Sequence, residues 1–480
     1  MQDILNFIDG RHAAAAGGEW LDDVDPATGE VYARVASSDA RDVDRAVAAA
    51  VRAFPSWSAT PASERSKTLR RLARLIERDL EALARAESID SGKPLALARS
   101  VDIPRAVQNF DFFADAITQF SSEAHPTDEV ALNYTLRQPL GPVACISPWN
   151  LPLYLLTWKI APALAAGNCV VAKPSEVTPM TAHMLGALAA EAGFPAGILN
   201  IVQGLGPRAG APLCAHREIR AVSFTGSTRV GGEIAREAAG SFKKVSLEMG
   251  GKNPTLLFAD ADLSEAIPQT LRAAFSNTGQ ICLCGSRILI EKPAYEKVRN
   301  ELLERVRALR VGDPLESGTD QGALVSRQHF DKVMGCLAAA REEGGRVLCG
   351  GGRATVAGRC AGGFFVQPTL IEGLGPACRT NQEEIFGPVA TLLPFESVEE
   401  AVALANSTRY GLAASLWTRD LSRAHRVAAQ LHSGIVWVNC WMLRDLRTPF
   451  GGVKESGVGR EGGMDALRFF SEAKNVCVKL

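Results

Sequence analysis

The spacing of hydrophobic residues divides the chain into stretches of different periodicity. Residues 1–50 read as short apolar segments separated by turns, such as Asp-Pro-Ala-Thr-Gly at 25–29, and this predicts short strands. From 42 to 121 the apolar residues recur at helical spacing, which predicts amphipathic helices. Residues 130–140 form an extended segment with a polar edge. We expect the strand-like residues 475–478 to pair with the 130–140 segment of another subunit.

Short apolar strands alternate with helices from residue 141 onward. A first series runs from a strand at 143–147 to a helix at 229–239, and a second series runs from about 244 to 450. Such alternation is typical of a parallel, doubly wound sheet with helices on both faces. The pattern therefore predicts an α/β fold, with ligands bound beyond the carboxyl ends of the strands.

Length, composition and charge narrow the class of protein. The 480 residues are too many for one hydrophobic core, so we expect two or three domains. The net charge is -1 and no block of Lys or Arg occurs, which argues against a nucleic-acid partner. No run of 18 apolar residues occurs, so no membrane span is predicted.

The 11 cysteines have no regular spacing. Cys282 and Cys284 are separated by one residue, which does not suit a zinc-binding pair, and no metal site is predicted. The odd number of cysteines and the absence of a basic, apolar leader favour reduced thiols and a cytoplasmic location.

Two glycine-containing segments compete as sites for a dinucleotide. In the segment 204–210 the third glycine comes one residue late and no acidic residue follows at the required distance, so a plain turn is favoured. At Phe224-Thr225-Gly226-Ser227 a strand end meets a helix start. There Gly226 allows the backbone to approach a pyrophosphate, and Ser227 caps the helix. A simple helix cap is the alternative interpretation.

Lys173 and Glu176 follow a predicted strand at the same edge of the sheet. Their side chains can hydrogen-bond to ribose hydroxyls, and a carboxylate would repel a 2′-phosphate, which favours NAD over NADP. A solvated turn is the alternative.

Three residues are candidates for covalent chemistry. Cys282 follows a helix in a glycine-containing loop, where a thiol can act as a nucleophile if it ionises. Glu248 lies between apolar residues and glycines, a setting that raises a carboxyl pKa toward that of a general base. Asn150 lies at a strand-to-helix turn, where its amide can donate to an oxyanion. A buried structural thiol, an exposed strand-end acid and an Asx turn are the respective alternatives.

Six motifs occur in a characteristic order along the chain. The motifs are Pro-Trp-Asn at 148–150, Lys-Pro-Ser-Glu at 173–176, Phe-Thr-Gly-Ser at 224–227, Leu-Glu-Met-Gly-Gly-Lys-Asn at 247–253, Gly-Gln-Ile-Cys at 279–282 and Glu-Glu-Ile-Phe-Gly-Pro at 383–388. That series resembles the NAD(P)-dependent aldehyde dehydrogenase superfamily, and the resemblance extends over essentially the whole chain.

The resemblance implies a role for each candidate residue. Cys282 matches the nucleophile, Glu248 the general base, and Asn150 the oxyanion donor beside the Cys282 amide. The implied cofactor is NAD. The residues implied to contact NAD are Ile146, Ser147, Trp149, Lys173, Glu176, Gly206, Phe224, Gly226, Ser227, Val230, Met249, Glu384 and Phe386.

The resemblance also implies a domain organisation. The expected fold has two doubly wound parallel-sheet domains and a small bridging β-sheet for oligomerisation. Residues 1–120 and 141–248 would form the NAD-binding domain, 249–450 the catalytic domain, and 121–140 with 465–480 the oligomerisation strands. Because members of the superfamily are dimers or tetramers, we expect a homodimer or a homotetramer.

Three further stretches are distinctive, namely Asp-Ile-Pro-Arg at 102–105, Cys-Leu-Cys at 282–284, and Asn-Cys-Trp-Met-Leu-Arg-Asp-Leu-Arg-Thr-Pro-Phe-Gly-Gly at 439–452. They resemble one subgroup of the superfamily, the 2-aminomuconate and 2-hydroxymuconate semialdehyde dehydrogenases. The subgroup implies an aldehyde substrate that carries a carboxylate, held by Arg105 and Arg444. Surface arginines are the alternative. A contact from Arg447, and the choice between an amino and a hydroxy substituent, stay open.

Other functions remain possible interpretations of the sequence. The enzyme could oxidise a different aliphatic or aromatic aldehyde, or it could transfer the acyl group to coenzyme A. A cysteine hydrolase or acyltransferase would need no NAD, and a non-catalytic relative would serve for binding. The joint presence of Cys282, Glu248 and Asn150 argues against the non-catalytic reading.

Overall fold

The computed structural model describes residues 2–480, which form 23 strands and 16 α-helices. The strands are β1 Gln2–Ile4, β2 Asn6–Ile8, β3 Arg11–Ala13, β4 Trp20–Asp25, β5 Glu30–Ala36, β6 Ala124–Thr127, β7 Ala131–Pro139, β8 Pro142–Ile146, β9 Cys169–Lys173, β10 Leu199–Ile201, β11 Ala221–Thr225, β12 Lys244–Glu248, β13 Pro254–Leu257, β14 Arg287–Glu291, β15 Arg346–Cys349, β16 Thr369–Glu372, β17 Val389–Phe395, β18 Tyr410–Gly411, β19 Ala413–Trp417, β20 Ile435–Val438, β21 Val453–Lys454, β22 Gly457–Val458 and β23 Ser471–Lys479.

The helices alternate with the strands in both halves of the chain, as the apolar periodicity predicts. They are α1 Ala40–Ala59, α2 Ala62–Arg78, α3 Leu80–Ser91, α4 Leu95–Leu97, α5 Ile103–Ala116, α6 Pro152–Ala165, α7 Met180–Glu191, α8 Ala211–Ala215, α9 Thr228–Ala239, α10 Leu263–Phe275, α11 Tyr295–Ala308, α12 Arg327–Glu342, α13 Arg379–Gln382, α14 Val398–Asn406, α15 Leu421–Gln430 and α16 Gly463–Phe469.

Two large sheets organise these elements and confirm the predicted α/β class. The first sheet has the order β22-β12-β11-β8-β9-β10-β2-β3, and its strands from β12 to β10 are parallel. The second sheet has the order β15-β16-β17-β14-β13-β19-β20, with only β15 antiparallel. Parallel strands need helical crossovers that cover both faces, which explains why these strands are almost continuously apolar.

Helix α6 lies deepest in the first half, and every one of its residues is buried. A helix that is covered on all sides has no polar face, and the long apolar stretch that begins at Leu151 reflects this position. It packs against α5, and this contact joins two parts of the candidate site.

The C-terminal strand pairs differently from the expectation. Strand β23 pairs antiparallel with β7 of the same chain, from Ser471 opposite Pro139 to Lys479 opposite Ala131, and β6 completes a three-stranded sheet. The expected pairing with another subunit is therefore wrong for this strand. The chain returns to its own hairpin because α16 places the start of β23 beside the end of β7. The domain boundaries given above stay a prediction.

Among residues 2–480, no helix combines the length and the apolar character that crossing a membrane requires.

Candidate active site

The predicted motifs meet at one edge of the first sheet. Strands β12, β11, β8 and β9 are neighbours in that order and run parallel, so the loops that follow them leave on the same side. Their last residues are in register: Thr225 lies opposite Glu248, and Ile146 lies opposite Lys173. The amide of Gly226 donates to the carbonyl of Glu248 over 3.0 Å, which joins the candidate pyrophosphate loop to the candidate base. Adjacent strand ends thus gather residues that are distant in sequence.

Asn150 is buried at the turn between β8 and α6, next to the loop that carries Cys282. Its Nδ2 donates to the carbonyl of Gln280 over 2.9 Å. Asn277 in turn donates through Nδ2 to the carbonyls of Asn150 and Gln280, each over 3.1 Å. An amide nitrogen carries two hydrogens, so Asn150 keeps one donor for a ligand oxygen while the other holds the loop.

The loop that carries Cys282 has an unusual backbone that follows α10. Asn277 and Thr278 both have left-handed φ values, 51° and 55°, which residues with a Cβ rarely adopt. The side chain of Asn253 donates to the carbonyl of Cys282 over 2.7 Å, and the indole of Trp441 donates to the carbonyl of Leu283 over 3.1 Å. Such fixed, strained backbone is common where a nucleophile must be presented.

Cys282 is half-buried, and its sulfur lies in a poorly solvated, acidic setting. Burial raises the pKa of the Cys282 thiol to about 12, and the charges of Glu384 and Glu248 act in the same direction. The positive charge of Arg444 acts in the opposite direction and lowers this pKa. The thiol of the protein alone is therefore protonated at neutral pH, and attack requires that a base remove its proton.

Glu248 ends β12 with its carboxyl group buried. Neither carboxyl oxygen has a hydrogen-bond partner among residues 2–480. Burial raises its pKa well above the ordinary value for glutamate, and the charge of Glu461 acts in the same direction. A Cβ on Gly451 would lie 2.7 Å from Glu248 Oε1, so a glycine there leaves room for this carboxyl group. These properties suit a general base.

A buried ion pair near Glu248 was not predicted from the sequence. Lys159 on α6 lies 2.6 Å from Glu461, and Ser223 on β11 donates to the same carboxylate over 3.0 Å. The only signal in the sequence is a lysine inside the apolar stretch of α6. Because the two residues are 302 positions apart, no local pattern could have paired them.

The residues that the resemblance assigns to NAD, which we call the candidate cradle, include polar groups that are available to a ligand. Lys173 Nζ lies 3.0 Å from the Glu176 carboxylate. Ser147 Oγ is buried without a hydrogen-bond partner in the described chain, and Ser227 caps α9 through the amide of Val230 over 3.4 Å. Apart from its own chain neighbours, nothing in residues 2–480 lies within 4 Å of where a Cβ would stand at Gly206, so this position faces open space. Buried apolar side chains line the same edge, namely Ile146, Phe224 and Met249.

The other end of this cradle lies in the second half of the chain. Glu384 accepts a hydrogen bond from the amide of Gly251 over 3.0 Å, and its carboxyl group leaves no room for a Cβ at Gly250. The rings of Trp149 and Phe386 meet edge to face at 5.2 Å. Aromatic rings beside a carboxyl group suit the binding of a flat, partly polar ring. We conclude that the residues present suit a dinucleotide such as NAD.

His329 also belongs to this end and was missed in the sequence. Its Nε2 donates to the carbonyl of Phe386 over 2.6 Å, and its ring centroid lies 4.9 Å from that of Trp149. Burial lowers the pKa of His329 to about 4, so the ring is neutral at pH 7 and keeps the proton that this bond needs. A single histidine on an amphipathic helix carries no signal that would have identified it.

Arg105 and Arg444, which come from distant parts of the chain, converge on one side chain. Arg444 donates through Nη1 to the hydroxyl of Tyr154 over 2.7 Å, and the guanidinium of Arg105 lies 5.7 Å from the centre of the Tyr154 ring. Both arginines are half-buried, and neither forms an ion pair within residues 2–480. Arg447, in contrast, is exposed and pairs with Asp445 over 2.6 Å.

The arrangement combines a thiol, a buried carboxyl group and an amide donor with a dinucleotide cradle and two unpaired cations. Such a site can add a thiol to a carbonyl, stabilise the resulting oxyanion and activate water on the acyl product. It can also bind an anionic group near the reacting carbon.

Comparison with known proteins identifies the class. Residues 12–476 match the model of the aldehyde dehydrogenase family. The chain is 49% identical to 2-aminomuconic semialdehyde dehydrogenase of Danio rerio, with 99% of this chain and 98% of the relative covered. It is 47% identical to 2-hydroxymuconic semialdehyde dehydrogenase of Pseudomonas sp. (strain CF600), with both chains fully covered. An NAD+ complex of aldehyde dehydrogenase from Bacillus cereus superposes with a TM-score of 0.97 at 40% identity, covering 100% of this chain and 97% of the other.

The chain belongs to the aldehyde dehydrogenase family. Its activity is the NAD-dependent oxidation of an aldehyde to a carboxylic acid. The cysteine hydrolase and the non-catalytic protein weighed from the sequence find no support in these relatives.

Proposed function

We propose that this enzyme oxidises a muconic semialdehyde, an unsaturated aldehyde with a carboxylate at its far end, to the dicarboxylate. The observation that carries the proposal is the pair of half-buried arginines without an acidic partner, Arg105 and Arg444, which meet at Tyr154. The charge of Arg444 also reaches the Cys282 thiol. A half-buried cation without an internal counter-ion has lost part of its hydration and gains no ion pair in return, so a site of this kind is suited to an anionic ligand. Relatives named for 2-aminomuconic and 2-hydroxymuconic semialdehydes, at 49% and 47% identity, support the same substrate class.

The reaction begins with Cys282. After loss of its proton the sulfur adds to the aldehyde carbon, and the carbonyl oxygen becomes an oxyanion. The free hydrogen of the Asn150 amide and the backbone amide of Cys282 are the proposed donors to this oxygen. The Asn150 side chain is hydrogen-bonded to the carbonyl of Gln280, so the proposed donor is tied directly to the loop that carries Cys282.

Bound NAD would supply the acceptor for the hydride that leaves the same carbon as the oxyanion collapses to the Cys282 thioester, a role that no protein side chain can fill. The proposed contacts are Lys173 and Glu176 for the adenosine ribose, and Gly226 with Ser227 for the pyrophosphate. Glu384 and Phe386 would hold the nicotinamide end. The other proposed contacts are Ile146, Ser147, Trp149, Gly206, Phe224, Val230 and Met249.

Glu248 completes the cycle by releasing the acid. Its carboxylate takes a proton from water, the hydroxide adds to the acyl carbon of the thioester, and the Cys282 sulfur leaves. A base with a raised pKa holds the proton of water more readily than an ordinary carboxylate does. Because Glu248 can activate water, water is favoured over coenzyme A as the acceptor of the acyl group. We therefore expect hydrolysis of the thioester.

Alanine at Arg105 or Arg444 is expected to weaken the use of a carboxylate-bearing aldehyde. Each substitution should cost about 1.5–3 kcal/mol in kcat/KM, the range for hydrogen bonds to charged groups. The measurement compares 2-hydroxymuconic semialdehyde with hexanal, which has six carbons and no carboxylate. Arg447→Ala is the matched control, because that arginine already pairs with Asp445. Equal kinetics for all three variants would point instead to a neutral aldehyde.

We also propose that the enzyme assembles as a homodimer or a homotetramer. Leu132 on β7 and Val478 on β23 are cross-strand neighbours and are 39% and 44% exposed. Leu136 and Leu480 extend this apolar surface of the small sheet. Exposed apolar patches of this kind mark interaction surfaces. Light scattering should give a mass of two or four times 51.2 kDa, and a monomer at micromolar concentration would contradict the proposal.

A reducing compartment, as in the cytoplasm, is the proposed location. All eleven cysteines are free thiols, including the half-buried Cys282 on which the chemistry depends. Oxidation of that sulfur would remove the nucleophile, so activity depends on conditions that keep thiols reduced.

A further inference from the structure

We propose that Tyr154 is a specificity-determining residue, which positions Arg105 and Arg444 for the carboxylate of the substrate. This inference rests on the proposed function. Tyr154 is the third residue of α6, and only 2% of it is exposed. It contacts both arginines, although they come from α5 and from the loop after β20.

The phenol hydroxyl of Tyr154 acts as a neutral hydrogen-bond acceptor for Arg444. The bond is 2.7 Å long and joins residues 290 positions apart. The same guanidinium lies 4.1 Å from the centre of the Phe450 ring and 5.4 Å from that of Trp158. Arg444 is therefore held by one oxygen lone pair and by aromatic faces, which stabilise a cation without neutralising it.

Arg105 depends on the same tyrosine. Its guanidinium lies 5.7 Å from the centre of the Tyr154 ring, and it makes no hydrogen bond to any residue from 2 to 480. Asn109, one helical turn further along α5, donates through Nδ2 to the carbonyl of Tyr154 over 3.1 Å. One face of α5 thus contacts both the backbone and the ring of Tyr154, which sets the position of Arg105 relative to it.

Tyr154 itself is held from a second side by a buried network. The carboxylate of Glu87 accepts the amide of Leu153 over 3.2 Å, at the start of α6. Lys93 lies 3.3 Å from Glu87 and also pairs with Asp102, which directly precedes α5. The starts of α5 and α6 are therefore connected through buried charges, so Tyr154 has little freedom to move.

A neutral acceptor is the group that a substrate-binding arginine requires. An internal carboxylate in place of the hydroxyl would pair with Arg444 and compete with the carboxylate of the substrate. Asp445 is the acidic residue nearest to Arg444 in sequence, and its carboxylate already forms an ion pair with Arg447 at 2.6 Å. Tyr154 therefore orients the two cations while leaving their charge available for an anionic ligand.

The test is Tyr154→Phe, which removes the hydroxyl and keeps the ring. With 2-hydroxymuconic semialdehyde we expect KM to rise about tenfold, the low end for a hydrogen bond to a charged group, while kcat changes by less than about twofold. With hexanal both constants should stay within about twofold of the parent enzyme. A fall in kcat for both aldehydes, or an unchanged KM for the acidic one, would overturn the inference.

Coupling to Arg444 gives the second measurement. In the Arg444→Ala background, Tyr154→Phe should have no further effect on KM, because its partner is gone. Additive effects would overturn the inference. Tyr295→Phe is the matched control, since it removes a tyrosine hydroxyl that donates to Glu372 over 2.9 Å in the second half of the chain. If Arg444→Ala alone leaves KM unchanged, the proposed function fails; if only Tyr154→Phe is silent, the role of Tyr154 fails alone.

Discussion

Replacing Cys282 with alanine is expected to abolish NADH formation from any aldehyde. The sulfur is the proposed nucleophile that forms the covalent adduct, and water cannot replace it at a useful rate. Loss of a covalent nucleophile lowers kcat by at least about 10⁴-fold in comparable enzymes. The measurement is NADH absorbance with a saturating aldehyde and NAD.

Binding of NAD should survive this substitution, because the cradle of Lys173, Glu176 and Ser227 lies on other segments. Calorimetric titration with NAD separates a lost nucleophile from a misfolded protein. Cys336→Ala is the matched control, since that thiol is also half-buried but lies on α12. Substantial turnover by the Cys282 variant would remove the thiol from the mechanism.

Replacing Glu248 with alanine is expected to stop the enzyme after the hydride has been transferred. The first turnover should release one NADH per active site as a burst, and steady turnover should fall by about 10²–10⁴-fold, the range for a general base. The physical reason is that, without the Glu248 carboxylate, no group removes a proton from the water that attacks the thioester. Intact-protein mass spectrometry should find the acyl group on the enzyme.

Two results would contradict the role given to Glu248. One is normal steady turnover with no acyl adduct. The other is loss of the burst itself, which would move Glu248 to an earlier step, the deprotonation of Cys282. Glu233→Ala is the matched control, because this exposed glutamate on α9 pairs only with Arg229 on the surface.

The sequence predicts which segments are strands better than it predicts which strands pair with each other. Alternating apolar strands and helices are local patterns, so the strands at β8, β9 and β11 follow from the periodicity alone. The pairing of β23 with β7 of its own chain does not, because a strand pattern records which residues are extended and not which strand lies beside them.

The residues of the candidate site also fall into two groups, those that a short motif identifies and those that only packing identifies. Asn150, Glu248 and Cys282 each stand in a short motif that marks a strand end or a strained loop, so their order along the chain could be recognised. His329 and the pair of Lys159 and Glu461 have no such motif. Their importance comes from burial and from partners far away in sequence, and these are properties of packing.

The sequence by itself determined the class of chemistry, because the residues proposed as nucleophile, base and oxyanion donor each lie in a contiguous motif. It also nominated Arg105 and Arg444, without bringing them together. Only the tertiary structure decided that both arginines contact Tyr154 and that neither has an acidic partner within residues 2–480. The physical reason is that charge compensation depends on distance in space. Arg444 and Tyr154 are 290 positions apart. The guanidinium of Arg444 comes within 2.7 Å of the Tyr154 hydroxyl only because α6 is buried and the loop after β20 folds over it.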